Sequence, residues 1–353
     1  MRGFAFRHRN VPRAWLVVGL WICGAWPGYA LAQNFTVSIT NPSALQDIVT
    51  GTSSTTFAVS DAGAVTVSPV STAAAVRLKS GSVVVPTLTV TCARQGSSAS
   101  KDCQGSSLTI RVTEGTATGG GDLGAITCAT GQAQPTGVTY TCANGSSTGT
   151  AYREIVYNYG TTASATGWTS TLKLGLSLIV SASATRGATS VPALCTKVSG
   201  ASDGFATGGC GSIVTARILR SIAVAKASDL RFGTLVRGTG TVAVAASGTR
   251  SVTGKAGIVP GSVGAAAEFD VTGEGGQAIT VTVPASFDLT NGSSILTVTT
   301  SNDLPNGSSA QTLSGSVGTD STLRVGVGGS VSLSPNTPSG NYTGSLTVTA
   351  SYQ

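Results

Sequence analysis

Short segments in which apolar and polar residues alternate recur along this sequence, and they constrain its fold more than any other feature. Successive side chains of a β-strand leave opposite faces of the sheet, so a period of two predicts a half-buried strand. Gly, Asn and Ser separate the segments, and the sequence lacks the Leu, Glu and Lys content that favours long helices. It therefore predicts an all-β fold of the sandwich or barrel class. The clearest alternation closes the chain, GNYTGSLTVTASYQ (340–353), with apolar side chains at Tyr342, Leu346, Val348, Ala350 and Tyr352.

The first residues predict export from the cytoplasm. Four arginines within residues 2–13 precede a short apolar run, AWLVVGLWICGAW, which is followed by the small residues ALA at 30–32. This is the layout of a secretory signal peptide, here residues 1–32. The apolar run is about 13 residues long, whereas a membrane helix needs about 20. A lipoprotein anchor at Cys23 is the alternative. We expect a mature protein without a transmembrane segment in the periplasm, at the cell surface or outside the cell.

Loss of the signal peptide narrows the chemistry that the chain can perform. It removes His8, the only histidine, and lowers the formal net charge from +7 to +3, because the segment holds four arginines and no acid. Triads of the Ser-His-Asp or Cys-His type therefore lack their base. A charge of this size gives no concentrated basic face for nucleic acid. We predict no enzymatic activity, no cofactor and no nucleic-acid partner.

One carboxylate pair is a candidate hydrolase site. Glu268 and Asp270 flank Phe269 on a predicted strand, so both acids share one face. Two acids on one face can serve glycoside hydrolysis at a suitable separation. The competing interpretation is the solvent face of a strand whose other face is core, and the absence of a surrounding acidic or aromatic cluster favours it.

The cysteines agree with export. An even number in an exported chain favours disulfides, and we expect sequential pairs 92–103, 128–142 and 195–210, because each pair brackets a turn-like stretch. A structural metal site made of cysteines alone is the alternative. The six that remain after cleavage are Cys92, Cys103, Cys128, Cys142, Cys195 and Cys210.

The distribution of cysteines predicts two domains. All six precede residue 211 and none follows it, which marks a compositional step. We place a disulfide-stapled β-domain at residues 33–211 and a second β-domain at 212–353. An immunoglobulin-like sandwich is the simplest packing for so many short strands in each domain.

Aromatic residues of the first domain suggest an alternative function. Exposed rings are platforms for the apolar faces of sugars or for protein hot spots. The chain would then be a monomeric module that binds a surface glycan or a protein. Packing between strands is the competing interpretation, because three of these rings lie on strand faces that would otherwise be core. The candidate residues are Tyr152, Tyr157, Tyr159 and Trp168.

Two motifs of the second domain carry a resemblance. The first is KASDLRFG, with Asp229, Leu230, Phe232 and Gly233, and the second is the closing GNYTGSLTVTASYQ. The domain resembles an uncharacterised family of secreted bacterial β-domains, which is similar to spore coat protein U and to subunits of chaperone–usher pili.

The resemblance implies a role for the last strand. In pilus subunits a periplasmic chaperone recognises an alternating final strand, a penultimate aromatic residue and a glycine fourteenth from the end. In this sequence the penultimate aromatic residue is Tyr352 and the glycine is Gly340. Those subunits lack one strand, which the chaperone and then a neighbouring subunit supply. The donor strand of this chain would be NFTVSIT (34–40), or the chain has no donor and is similar to a tip adhesin. From the residues alone, residues 340–353 also fit the completion of an ordinary closed sandwich.

These observations predict an exported, non-enzymatic surface subunit, structural or adhesin-like, with a pilin-like second domain. The predicted partners are a periplasmic chaperone or neighbouring subunits. The expected assembly strand comprises Gly340, Tyr342, Leu346, Val348, Ala350 and Tyr352.

Overall fold

Alternating β-branched and polar residues form strands throughout the protein, as the computed structural model shows. It describes residues 34–93, 107–127, 131–144, 154–161, 167–199 and 206–353. The predicted signal peptide lies outside these residues. Residues 33–353 form one compact unit. In the described ranges the regular structure consists of strands and one short 3-10 helix, so the predicted all-β class is confirmed.

The first half of the chain contains fourteen strands among the described residues. They are β1 (Asn34–Thr40), β2 (Ser43–Val49), β3 (Thr55–Val59), β4 (Val65–Ser68), β5 (Val76–Arg77), β6 (Thr87–Ala93), β7 (Ser107–Glu114), β8 (Gly121–Thr127), β9 (Val138–Asn144), β10 (Glu154–Thr161), β11 (Gly167–Lys173), β12 (Gly175–Val180), β13 (Gly187–Ser199) and β14 (Ala206–Leu219).

These strands form three sheets around one core. Their orders are β1-β6-β11, β5-β2-β14-β13-β7-β10-β9 and β4-β3-β12-β8. Pairing is antiparallel except between β14 and β2. In β11 the alternation buries Trp168, Ser170 and Leu172 and exposes the residues between them. Such inward rows build a core cluster that extends from Phe35 to Ile218.

The second half continues with twelve strands and the 3-10 helix Pro305–Gly307. The strands are β15 (Ala223–Ser228), β16 (Leu235–Val236), β17 (Gly240–Val244), β18 (Arg250–Gly254), β19 (Gly257–Ile258), β20 (Ala267–Glu274), β21 (Ala278–Thr282), β22 (Ser286–Asn291), β23 (Ser294–Asn302), β24 (Ala310–Thr312), β25 (Asp320–Leu333) and β26 (Thr349–Tyr352).

Two facing sheets enclose the core of this half. One has the order β15-β20-β25-β17-β18, with the β22–β23 hairpin joined to β25 through β23, and the other is β24-β21-β26. A short β16-β19 pair stands beside them. One core cluster places Phe269, Val271 and Val325 of the first sheet against Ile279 and Val281 of the second. A further cluster gathers around Phe232, Val242 and Val331.

The change from one set of sheets to the other follows Leu219. No described sheet combines strands of the two halves. The boundary predicted between residues 211 and 212 falls inside β14, whose pairing with β2 continues to Leu219. Continuous backbone pairing keeps residues 212–219 with the first half. The division into two independent domains remains a prediction.

The structure bears on the predicted disulfides. Cys195 and Cys210 form a disulfide, with their Cα atoms 5.2 Å apart across the β13–β14 hairpin, so this predicted pair is confirmed. Cys92 and Cys142 each take part in a disulfide. The partners predicted for them, Cys103 and Cys128, lie outside the described residues.

Candidate assembly edge at the C-terminal strand

The terminal segment first crosses β22. The backbones of Thr343 and Thr290 exchange two hydrogen bonds, with N–O distances of 2.8 and 3.1 Å. At Gly344 a Cβ would overlap the carbonyl oxygen of Asp288, so this close approach requires glycine. Gly340 has a φ of +146°, which side chains rarely adopt, and lies against the side chain of Asn291. The predicted motif glycine Gly340 therefore shapes the chain where it meets β22.

The last residues then form β26, which pairs with β21 in antiparallel register, Tyr352 opposite Ile279 and Ala350 opposite Val281. Val348 is buried, and Leu346, Ala350 and Tyr352 are half-buried against the same core cluster. The apolar side chains of residues 346–352 thus face the core as the alternation predicts, but regular strand structure is limited to β26. Its role in assembly stays a prediction.

Tyr342 is separate from this inward face. Its hydroxyl donates to the carbonyl oxygen of Pro338 at 2.9 Å, and its ring lines a surface cavity of about 370 Å³ with Leu296 and Leu333. The prediction grouped Tyr342 with the assembly strand because it shares the even register. The crossing over β22 interrupts the strand between them, so Tyr342 lies on another part of the surface.

Two edge strands border the C-terminal segment. Among the described residues, β26 pairs only with β21, and β15 pairs only with β20. β15 and β26 belong to different sheets and approach each other, Cα to Cα, within 8 Å without hydrogen-bonded pairing. Residues 345–348, which precede β26, have no strand partner in the described chain. Unpaired backbone donors and acceptors therefore line this side of the molecule.

Apolar side chains between these edges are incompletely covered. Ile222 and Val224 on the β15 side and Leu346, Ala350 and Tyr352 on the β26 side all contact the core cluster but remain half-exposed. We call this surface, defined by these five residues, the edge groove. An added strand would cover the row and pair with the free backbone groups.

The hydroxyl of Tyr352 closes one end of the edge groove. It donates to the carbonyl oxygen of Arg220 at 2.8 Å and accepts from the backbone N–H of Glu274 at 2.7 Å. Arg220 lies between β14 and β15, so this bond joins β26 to the segment that leads into β15. Gly273 leaves the space that the ring occupies. Burial raises the pKa of Tyr352, which keeps its proton on the hydroxyl that donates.

A buried carboxylate organises the same end. The side chain of Glu274 has 0% exposure. It accepts from the backbone N–H of Arg220 at 2.9 Å and from that of Gly318, and the guanidinium of Arg186 lies 3.5 Å away. A buried charge is tolerated only when it is hydrogen-bonded and paired, and here both conditions hold.

Asp320 completes this polar cluster. Arg186 contacts its carboxylate, and Arg220 contributes an ion pair at 2.6 Å. The hydrogen bond from Arg186, followed by that from Arg220, lowers the pKa of Asp320. Sequence reasoning missed Glu274, Arg186 and Arg220. An isolated glutamate within the TGEGGQ stretch of a charge-poor chain was the only available signal.

The predicted family motif has structural roles. Leu230 packs against both core clusters of the second half, and Phe232 is buried in one of them. Gly233 has a φ of +82°, and a Cβ there would lie 2.8 Å from the guanidinium of Arg250. Asp229 bonds to the ammonium of Lys226 at 2.7 Å on the surface. The motif therefore turns the chain and fills the core rather than forming a site.

The aromatic residues proposed for ligand binding form a packed cluster. Tyr157 and Tyr159 have 0% and 2% exposure, and Trp168 has 7%. Tyr159 stacks on Trp168 with ring centroids 5.9 Å apart, and Phe35 lies 5.9 Å from Trp168. Buried rings present no face to a glycan, so the packing interpretation describes these three. Tyr152 lies outside the described residues.

The carboxylate pair faces solvent as a salt-bridged group. Arg324 donates to both oxygens of Asp270, at 2.8 and 3.0 Å, and lies 3.6 Å from Glu268. The hydrogen bond from Arg324 lowers the pKa of Asp270. A general acid in glycoside hydrolysis needs a raised pKa, so this arrangement favours the solvent-face interpretation.

Burial of Tyr159 predicts an alkaline loss of stability. Burial raises its pKa from 10.0 to about 12, and Ser170 donates to its oxygen at 3.3 Å. The folded state therefore holds the proton more tightly than the unfolded state. The resulting stability is complete below pH 10.0 and disappears as the pH rises through about 12. Urea unfolding at several alkaline pH values should show a shallower decline for Tyr159→Phe than for the wild type. Equal declines would contradict this environment.

Removal of the Tyr352 hydroxyl should loosen the closed end of the edge groove. Tyr352→Phe leaves the Glu274 N–H and the Arg220 carbonyl without their partner, which should cost about 1–2 kcal/mol in the free energy of unfolding. Urea unfolding measures this cost. Tyr342→Phe is the matched control, because its hydroxyl bonds only within an exposed turn, and we expect less than about 0.5 kcal/mol there. Equal effects of the two substitutions would refute the anchoring role of Tyr352.

Comparison with known proteins adds one match. Residues 222–352 match the family model described as Domain of unknown function (DUF4402). No curated protein and no solved structure matches the chain. Within the described residues, no helix has the length and apolar character needed to cross a membrane. The match begins where the β15 wall of the edge groove begins and ends at Tyr352, so this region of the chain is similar to a DUF4402 domain.

Proposed function

We propose that this protein is an exported, non-enzymatic surface subunit, structural or adhesin-like, that assembles by accepting a strand in the edge groove. One observation carries the proposal. Among the described residues, β15 and β26 are edge strands of facing sheets, each paired on one side only, and the apolar row between them is half-buried. An extended segment with alternating apolar residues would pair with the free backbone and cover the row.

The accepted strand would come from another protein. The alternating segment suggested as a donor, NFTVSIT, is β1, which pairs with β6 along its whole length and buries Phe35 and Ile39 in the first core. Releasing it would expose that core, at a cost of about 1.5–3 kcal/mol for each large side chain. A periplasmic chaperone and then a neighbouring subunit are therefore the proposed partners. This subunit would accept a strand without giving one, similar to a tip adhesin.

Export and the pilin-like character of the second half belong to the same proposal. The disulfide between Cys195 and Cys210 is compatible with an oxidising compartment outside the cytoplasm. The half that contains the edge groove has two facing sheets, as an acceptor of a missing strand requires. The monomeric binding module receives no comparable support, because Tyr157, Tyr159 and Trp168 are buried.

A charge placed inside the edge groove should abolish assembly, whereas the same charge on the outer face should not. Leu346→Arg puts a guanidinium into the half-buried row, and Thr347→Arg is the matched control at an exposed neighbouring position. Both variants are exported and analysed by native mass spectrometry of periplasmic extracts, with thermal midpoints measured alongside. We expect the wild type and Thr347→Arg to be found in complexes. Leu346→Arg should be folded but monomeric.

Two results would overturn the proposal. One is a wild-type protein that stays monomeric with its native secretion partners present. The other is assembly of Leu346→Arg at the wild-type level. Deletion of residues 340–353 and Tyr352→Ser serve as additional loss-of-edge variants.

A further inference from the structure

We infer that the first half of the chain controls the order of the edge groove through Arg186, which holds the Glu274 cluster behind Tyr352. A continuous set of polar contacts begins in the first half and ends on both walls of the edge groove. The inference deepens the proposed function, although the contacts themselves exist independently of any partner.

Arg186 reaches across from the first half. It lies in the loop between β12 and β13, and its guanidinium contacts Asp320 at the start of β25 and Glu274 at the end of β20. These partners are 134 and 88 residues away in sequence. Its side chain is 29% exposed, so the ion pairs are partly shielded from water.

Arg217 adds a second contact between the halves. It donates to both carboxylate oxygens of Asp47, at 2.5 and 2.6 Å, and lies 3.4 Å from the side-chain oxygen of Gln277. The bidentate pair fixes the orientation of the guanidinium. Gln277 directly precedes β21, the strand that pairs with β26. The first half thus also contacts the residue that leads into the strand paired with β26.

Glu274 connects Arg186 to both walls of the edge groove through two hydrogen bonds. Its carboxylate accepts from the backbone N–H of Arg220, which leads into the β15 wall. Its own backbone N–H donates to the hydroxyl of Tyr352, which ends the β26 wall. Arg186 supplies positive charge to this buried carboxylate. Loss of Arg186 would leave the Glu274 charge less compensated in a dry site, and the bonds around it would open more often.

The cluster is suited to this structural role rather than to ligand binding. The carboxylates of Glu274 and Asp320 both have cationic partners, and the backbone donors of Arg220 and Gly318 already point at Glu274. The same contacts explain how a half outside the matched residues 222–352 can influence that region.

Hydrogen exchange of the full mature chain tests the inference. Arg186→Ala should speed the exchange of backbone amides at 349–352 by about ten-fold, because it removes hydrogen bonds to charged groups. Arg324→Ala is the matched control, since it breaks solvent-exposed ion pairs with Glu268 and Asp270 on the outer face of β20 and β25. Exchange in β6 and β11 should be unchanged in both variants.

The outcomes separate the inference from the proposed function. Faster exchange at 349–352 in Arg186→Ala alone supports the coupling, whether or not any partner binds. Equal exchange in Arg186→Ala and the wild type overturns it, as does an equal increase in Arg324→Ala. Glu274→Gln provides a second variant of the same size and should show the same local increase. Native mass spectrometry then reports separately whether loosening of the edge changes the amount of complex formed.

Discussion

The open backbone edges of β15 and β26 set the main physical requirement in the second half of the chain. A β-strand satisfies half of its donors and acceptors on each side, and an exposed apolar edge invites pairing with another chain. β15 and β26 each lack one neighbour among the described residues, and they face each other across a half-buried apolar row. The β18 edge of the second half differs, because β18 is almost fully exposed and presents no such row against the core. A strand added along the edge of β15 or of β26 would pair with the free backbone groups and cover the apolar row.

The fixed end of this groove gives the open edge a defined shape. The hydroxyl of Tyr352 joins the two walls at the Arg220 carbonyl, and the buried Glu274 holds the surrounding backbone. An edge whose walls moved freely would lose more conformational entropy when a strand is added. Anchoring by Arg186 reduces that loss by using packing already present in the folded chain. The penultimate tyrosine thus has an internal structural role beside any recognition by a partner.

Sequence reasoning recovered what periodicity encodes and missed what depends on distant partners. The alternation at Leu346 to Tyr352 identified the inward face, since side-chain direction follows from strand geometry alone. It could not separate Tyr342 from that face, because the crossing over β22 depends on the approach of Asp288. Glu274 resembled a loop residue among glycines, since its burial is created by Arg220 and Gly318 from other parts of the chain. The role of the aromatic rings was ambiguous for the same reason, because alternation does not show whether the apolar face of a strand contacts solvent or another sheet.

The most direct test of strand acceptance is hydrogen exchange of the amides at 345–351 in the isolated monomer and again in the proposed complex with a partner. An open edge predicts rapid exchange of the outward-directed amides in the monomer and strong protection in the complex. Protection of these amides in a stable monomer would contradict it, because the terminal strand would then complete a closed sandwich with no edge left to share.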